Sequence, residues 1–332
     1  MNEPPRDKPK RRPRYTGKNP RHFAEKYKEH EPDRYPEDVA KVVSAGKTPA
    51  GTHRPIMVRE ILDILAPRPG DFVVDCTLGY GGHAAALLAA IQLGGRLLGL
   101  DADPIELPKT EARLRALGFG PDVFSVQHSN FAGLARLIPE PADIVVADLG
   151  LSSMQIDNPE RGFTYKFDGP LDLRMNPAKG MPASALLAGL DPAKLATLLF
   201  ENSDEPNAER LAPALLHAPA TTTMQLAAAV RKAGGDDDTI RRVFQALRIA
   251  VNDEFGTLEA FLRGLPYCLK PGGRIAILTF HSGEDRRVKK SFKAFEAEGV
   301  FSEISQDVVR ASVEERRDNP RSTSAKLRWA RR

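Results

Sequence analysis

Asp71-Phe72-Val73-Val74-Asp75-Cys76 runs directly into Thr77-Leu78-Gly79-Tyr80-Gly81-Gly82-His83. The first six residues are a short β-rich run, and the next seven form a glycine-rich turn. The Ala/Leu-rich stretch from His83 to Leu93 then has the composition of a helix. The alternation continues outward from this unit. Arg96 to Leu100 reads as a second strand, stopped by Asp101-Ala102-Asp103-Pro104. Ile105 to Leu117 reads as a helix, Val123 to Gln127 as a third strand and Asp143 to Ala147 as a fourth. Strands and helices in this order build right-handed crossovers and a parallel sheet. Such a sheet binds its ligands outside the carboxyl ends of its strands, where Asp75, Asp101 and Asp148 fall. Upstream, Ile56, Val58, Ile61, Leu62 and Leu65 start an amphipathic helix just after His53-Arg54-Pro55.

The pattern changes after Asp148. Residues 150–182 are crowded with Gly, Pro, Asp and Arg, the mark of a long functional loop. From Pro182 to Gly235 the chain is Ala/Leu-rich and helical, an insertion between two strands of the sheet. Phe244, Leu247, Val251, Phe255, Leu258 and Leu262 recur at spacings of three and four, as on one packed helix, with Arg241, Gln245, Arg248 and Asn252 on the opposite stripe. Lys270-Pro271-Gly272-Gly273 turns into a strand from Arg274 to Phe280, and helix resumes at Glu284. Val300 to Val309 and Ala325 to Ala330 are candidates for an antiparallel pair that closes the sheet.

Composition narrows the class. The 332 residues are 41% hydrophobic and 28% charged, enough apolar content for a sizeable core and too much for a wholly disordered chain. Cys76 and Cys268 lie far apart and form no metal or redox motif, so no metal is expected and a reducing cytoplasm fits best. No apolar run approaches the roughly 20 residues of a membrane span, and the N-terminus has no secretory apolar segment. The net charge of +4 is unevenly spread: residues 1–22 carry +6 and residues 310–332 carry +5, which leaves the body at −7. Two basic ends on an acidic body suit a nucleic-acid partner, although a basic tail also serves solubility. Residues 1–50, with eight prolines and no apolar periodicity, read as a disordered arm.

Gly79-x-Gly81-x-x-Ala84 fits a dinucleotide fingerprint, and Asp101 lies 20 residues beyond Gly81. Nicotinamide cofactors and S-adenosylmethionine both contain adenosine, so the loop alone does not separate them. Asp75 and Asp148 favour the second. A carboxylate at the end of the first strand can meet the ammonium of a methionine moiety and would repel a pyrophosphate, and Asp148-Leu149-Gly150 ends the fourth strand, where a group-transfer substrate would lie.

Taken together, the segments resemble a known family. His53-Arg54-Pro55-Ile56-Met57 is similar to its opening motif, Asp75 through His83 to its cofactor loop, and Asp148-Leu149-Gly150-Leu151-Ser152-Ser153-Met154-Gln155-Ile156-Asp157 to its active-site loop. Further blocks match at Arg161-Gly162-Phe163, Asp168 to Met175, Phe244 to Asn252, Pro271 to Ser282, and Asn319 to Arg328. This is the pattern of the bacterial 16S ribosomal RNA cytosine-N4 methyltransferases, the RsmH or MraW type. The resemblance implies a class I, Rossmann-like methyltransferase fold, an α/β doubly wound sheet with an inserted helical domain. It also implies methylation of N4 of one cytidine in the decoding centre of the small ribosomal subunit or its precursor. Cofactor contacts carried over by it are Gly81, Gly82, His83, Asp101, Phe131, Asp148 and Gln155, beside Asp75 and Gly79 from the loop itself. Phe131 has an alternative as an ordinary core aromatic. Two departures stand out: Gly283 where the family usually has Leu, and Ser203-Asp204-Glu205-Pro206 in the insertion.

The chemistry assigns further candidates. Cytosine N4 is a weak nucleophile, and an acceptor for one of its protons makes it a better one. Asp148, or a backbone carbonyl of the loop ending at Ser152, is the natural acceptor. His281 is a candidate base or a strand-end histidine bonded to backbone. Candidate RNA contacts are Arg161, Phe163 and Tyr165, in a loop that interleaves cations and rings, together with Arg174, Arg248 and Arg321. The rings alternatively pin the loop to the core, and Asp172 and Arg174 alternatively pair with each other. The expected organisation is an arm over 1–50, a methyltransferase domain from 51–150 and 240–332, and a substrate-recognition loop and insertion over 151–239. A nicotinamide oxidoreductase and a non-catalytic ribosome-assembly protein remain as competing functions, and the oligomeric state is open, a dimer included.

Overall fold

The computed structural model describes residues 55–217 and 219–332. The expected arm and the His53-Arg54 part of the opening motif lie outside them. In chain order the helices are α1 (Val58–Leu65), α2 (Gly82–Ala90), α3 (Leu107–Ala116), α4 (Leu134–Leu137), α5 (Ser153–Asp157), α6 (Ala183–Ala188) and α7 (Pro192–Ser203). They continue as α8 (Ala208–His217), α9 (Thr223–Lys232), α10 (Asp237–Asn252), α11 (Glu254–Cys268), α12 (Ser282–Ala297) and α13 (Val313–Asp318). The strands are β1 (Phe72–Asp75), β2 (Arg96–Asp101), β3 (Phe124–His128), β4 (Ala142–Asp148), β5 (Leu269–Thr279), β6 (Glu303–Ile304) and β7 (Lys326–Arg331).

They form one seven-stranded sheet in the order β3-β2-β1-β4-β5-β7-β6. β1 to β5 run parallel, and β7 is antiparallel to both β5 and β6. Strand order reverses between β1 and β4, and this switch point opens a crevice at the carboxyl edge. The sheet alternates with period two and is covered on both faces. Val73, Leu97, Ile144, Val146, Ala276 and Leu278 pack with α1, α2 and α3. Val74, Leu98, Leu100, Val145, Ile275 and Ile277 pack with α4, α11 and α12 on the other side. This is the doubly wound sheet that the resemblance implied. Among the described residues no helix is long and apolar enough to cross a membrane.

A third cluster lies apart from the sheet. Leu171, Leu187, Leu195, Leu199, Leu211, Leu226 and Val230 bury one another, and α10 joins them through Ile240, Val243 and Leu247. The helical core therefore continues past residue 239. The apolar stripe from Phe244 to Leu262 also belongs to two helices instead of one. Asp253 takes a left-handed conformation (φ 47°, ψ 46°) between α10 and α11. Its carboxylate lies over Gly256, where a Cβ would come within 2.4 Å of Oδ1. One left-handed residue leaves the three-and-four spacing intact while redirecting the chain, so α10 serves the insertion and α11 serves the sheet. The closing pair is shorter than expected: β6 has two residues, and Val309 adds only an isolated bridge to Leu327.

Candidate active site

Neighbouring strands bring three acids to the carboxyl edge. Asp75 is almost fully buried, and its Oδ1 accepts the Thr77 N–H at 3.1 Å. The Thr77 hydroxyl oxygen accepts the Asp148 N–H at 2.6 Å, which ties the ends of β1 and β4 together across the switch point. Asp101 clamps the glycine loop: Oδ2 accepts the Gly79 N–H at 2.7 Å, and Oδ1 accepts the Asp103 N–H at 2.8 Å. A carboxylate offers about four acceptor sites, so Asp101 keeps capacity for two ribose hydroxyls.

The glycines have separate reasons to be glycine. Gly81 has φ 81° and sits where a Cβ would lie 2.9 Å from Thr110 Cγ2. A Cβ on Gly82 would strike Pro55 Cγ at 2.2 Å, which links the cofactor loop to the opening motif.

The site is acidic in a particular way. Burial pushes Asp75 up to about 6; His83 lowers it, and Asp148 and Asp101 raise it further. Burial raises Asp101 as well, against its backbone hydrogen bonds. Desolvation, then the Glu284 carboxylate, push Asp148 up to about 7. Among the described residues no lysine or arginine forms an ion pair with any of the three. A pocket with three such carboxylates fits a ligand that brings its own positive charge, such as a sulfonium or an ammonium, and opposes a pyrophosphate.

Several expected contacts are instead engaged within the chain. Ser152 caps α5: its hydroxyl oxygen accepts the Gln155 N–H at 3.3 Å, and its carbonyl accepts from Ile156 N–H at 3.1 Å. Gln155 Oε1 accepts the Ser152 N–H at 2.9 Å, and its Nε2 donates to Asp103 Oδ2 at 2.8 Å. Arg161 is buried and donates to the same Asp103 oxygen at 2.7 Å, and to the Met175 carbonyl at 2.8 Å. It holds the loop and is not displayed to a phosphate. Phe163 is buried in the third cluster, and Tyr165 is tilted on Phe244 at 5.5 Å with Arg241 at its hydroxyl, so both rings pin the loop. Arg174 pairs with Asp172 (Nη2 to Oδ2, 2.6 Å), the alternative left open by the sequence.

Arg248 makes a two-pronged pair with Glu254 at 2.7 and 2.9 Å beneath the surface, and Arg321 donates to Ser153 and lies 3.4 Å from Asp157. Phe131 stands edge-on to Phe261 at 5.2 Å and packs against the sheet core. His281 turns its Nε2 to Glu284 Oε1 (3.1 Å), and its ring lies 5.7 Å from Phe255. The imidazole thus has an internal carboxylate partner at one nitrogen, and no bond to backbone is seen among the described residues. Phe255 also accounts for Gly283: a Cβ there would lie 2.6 Å from Phe255 Cζ, while the Arg287 guanidinium covers that ring at 3.6 Å.

Two acids escaped the sequence reading. Asp103, 1% exposed, joins the β2 turn to Gln155 and Arg161; its signal is an acid just before Pro104, set to cap the turn by accepting the Ile105 N–H at 2.9 Å. Burial raises Glu284, but His281, the Phe280 N–H and Arg248 outweigh it and hold the carboxyl below the usual range. Its signal is the three-residue spacing from His281 across the start of α12.

The family model described as the MraW methylase family matches residues 50–332, which includes every element described above. The chain belongs to the MraW methylase family. It is 47% identical over 338 residues to ribosomal RNA small subunit methyltransferase H 1 of Lachnoclostridium phytofermentans, covering 97% of this chain and 92% of that one. It is 48% identical over 341 residues to ribosomal RNA small subunit methyltransferase H 2 of Alkaliphilus metalliredigens, covering 98% of both. A third relative, ribosomal RNA small subunit methyltransferase H of Myxococcus xanthus, is 40% identical over 299 residues and covers 83% of this chain and 96% of its own. Within this MraW family frame, the three-acid edge is the part of the structure suited to a methyl donor.

Proposed function

We propose that the protein, an S-adenosylmethionine-dependent ribosomal RNA methyltransferase, methylates N4 of one cytidine in the decoding centre of the small-subunit RNA. The observation that carries the reading is the set of Asp75, Asp101 and Asp148 around the glycine loop at the switch point, without lysine or arginine partners among the described residues, in a chain of the MraW family. S-adenosylmethionine supplies a methyl carbon made electrophilic by its sulfonium. Asp101 accepts the ribose hydroxyls, Asp75 faces the ammonium, and Gly79 and Gly81 let backbone approach the ligand closely. His83 stands beside these acids, Gln155 supports the site through Asp103 and the start of α5, and Phe131 packs behind it against the sheet core.

Asp148 accepts a proton of the N4 amine, which drives that nitrogen toward a tetrahedral, nucleophilic state. Positioning of the amine in line with the departing sulfide supplies several further kcal/mol. The base must leave its stack to reach this pocket. The loop after β4, through the exposed Lys166 and Phe167, and α12, through the exposed Arg286, Lys289 and Lys290, hold the surrounding RNA beside the helical insertion. The basic residues of 1–22 add phosphate contacts that are independent of sequence. A soluble, cytoplasmic enzyme acting on the small subunit or its precursor follows.

Calorimetric titration with S-adenosylmethionine and with NAD tests the pocket. Tight binding of the sulfonium cofactor and none of NAD is expected, and the reverse overturns the reading in favour of an oxidoreductase. Transfer of a labelled methyl group to small-subunit RNA separates the enzyme from a non-catalytic assembly factor, which would bind the RNA and leave it unlabelled.

A further inference from the structure

His83 begins α2 beside the acids and is 7% exposed. Its Nε2 lies 2.9 Å from the Ile56 carbonyl oxygen. A carbonyl only accepts, so this contact puts the ring proton on Nε2 and leaves a lone pair on Nδ1 of the neutral imidazole. Nδ1 is turned to the acids, 3.7 Å from Asp148 Oδ2. That separation is a few tenths of an ångström beyond a hydrogen bond, within reach of a small rotation of either side chain. The charged groups around the ring come from each neighbouring element: Asp75 from β1, Asp148 from β4, Asp101 from the end of β2 acting through Asp75, and Glu284 of α12 behind Asp148. The segment before α1 contributes the Ile56 carbonyl, and Glu315 of α13 is held next to it by the Met57 N–H at 2.9 Å.

We propose that His83 Nδ1 is the final acceptor of the proton released in methyl transfer, delivered to it through Asp148; this rests on the function proposed above. The N4 lone pair forms the new C–N bond as the C–S bond breaks and leaves its electron pair on sulfur. N4, now positively charged, gives one proton to Asp148 Oδ2, and Asp148 passes it to His83 Nδ1. Asp148 returns to its starting charge, and the imidazole becomes an imidazolium held by Ile56 and flanked by Asp75 and Asp148. The charge count explains why the acceptor sits here. Methyl transfer removes the sulfonium's positive charge from a pocket of three carboxylates, and a proton lost to solvent would leave that pocket one positive charge poorer. A proton kept on His83 restores the same net charge in the same place.

The test uses the intact protein and two variants. His83→Gln keeps an amide donor where Nε2 meets the Ile56 carbonyl and removes the titrating nitrogen; His83→Asn does the opposite and controls for loss of that anchor. The imidazole signal of His83, assigned by its absence in H83Q, is titrated by NMR in enzyme saturated with S-adenosylmethionine and then with S-adenosylhomocysteine. A neutral thioether in place of a sulfonium should raise the His83 midpoint by about one pH unit. Midpoints that agree within about 0.3 unit overturn the proposal. In single-turnover assays at saturating S-adenosylmethionine, which set aside any change in cofactor affinity, H83Q should slow methyl transfer about 10-fold. Wild-type methylation with an unaffected H83Q rate overturns the relay alone. A wild type that transfers no methyl group overturns the functional reading, and the NMR comparison, which needs no RNA, still scores His83.

Discussion

Asp148→Asn should make the ligand-free protein more stable at alkaline pH while stopping its reaction. The carboxyl of Asp148 moves from 3.8 to about 7 on folding, because burial and Glu284 disfavour its charge. Between roughly pH 4 and 7 the unfolded chain has released this proton and the folded chain retains it, so stability falls as pH rises through that window and levels off above it. About three units correspond to about 4 kcal/mol. With 29% of the side chain exposed, screening by water reduces this to about 2 kcal/mol. An asparagine carries no charge and escapes the penalty. At pH 5, about one unit into that window, roughly a third of the penalty is already present, so D148N should melt only slightly above wild type. At pH 8 the variant should melt higher by about 4–8 °C. Circular dichroism melts of both proteins at the two pH values, without ligand, make the comparison. Equal differences at pH 5 and pH 8, or a D148N that melts lower at pH 8, would refute the electrostatic argument. S-adenosylmethionine should also stabilise wild type more at pH 8 than at pH 5, since its cation replaces the missing counter-ion.

Other outcomes follow from named contacts. Asp101→Ala removes the clamp on the Gly79 N–H and the acceptor for ribose, and should weaken S-adenosylmethionine binding by about 10-fold or more in calorimetry. Lys289→Ala combined with Lys290→Ala, both exposed, should leave that affinity unchanged and lower affinity for RNA; equal loss of cofactor affinity in these and the Asp101 variant contradicts the division of labour. Gly283→Leu forces a side chain into Phe255 and should destabilise by about 1–3 kcal/mol, and Phe255→Ala in the same chain should recover part of it. A denaturation cycle showing additive effects would mean that the two residues do not share that space. Arg161→Ala leaves Asp103 buried without its cation and should cost about 3–5 kcal/mol in denaturant unfolding, whereas an exposed phosphate-binding arginine would cost almost nothing.

The sheet was legible because parallel strands buried on both faces leave short apolar runs that end on acids. Those acids mark the carboxyl edge directly, so the positions of Asp75, Asp101 and Asp148 along the sequence already set them at one edge of the sheet. Turn chemistry located the glycine loop in the same way. The misread parts share a physical cause. Periodicity reports which side of a helix is apolar, but not whether one left-handed residue redirects it, and Asp253 does so without disturbing the spacing. Arginines in a loop also look alike whether they face solvent or an internal acid. Arg161 and Arg248 proved to be internal because Asp103 and Glu254 reach them across 58 and 6 residues of chain; only the closer of these pairings was within range of a local reading. The exchange of Leu for Gly283 was visible as a departure, but its reason, the Phe255 ring, comes from another helix.

The most direct measurement is mass mapping of small-subunit RNA after incubation with the purified protein and S-adenosylmethionine carrying a deuterated methyl group, with D148N alongside. One cytidine should gain a deuterated methyl on N4 with the wild type and none with the variant. Label on carbon, on a ribose hydroxyl or on many bases, or full labelling by D148N, would contradict the account.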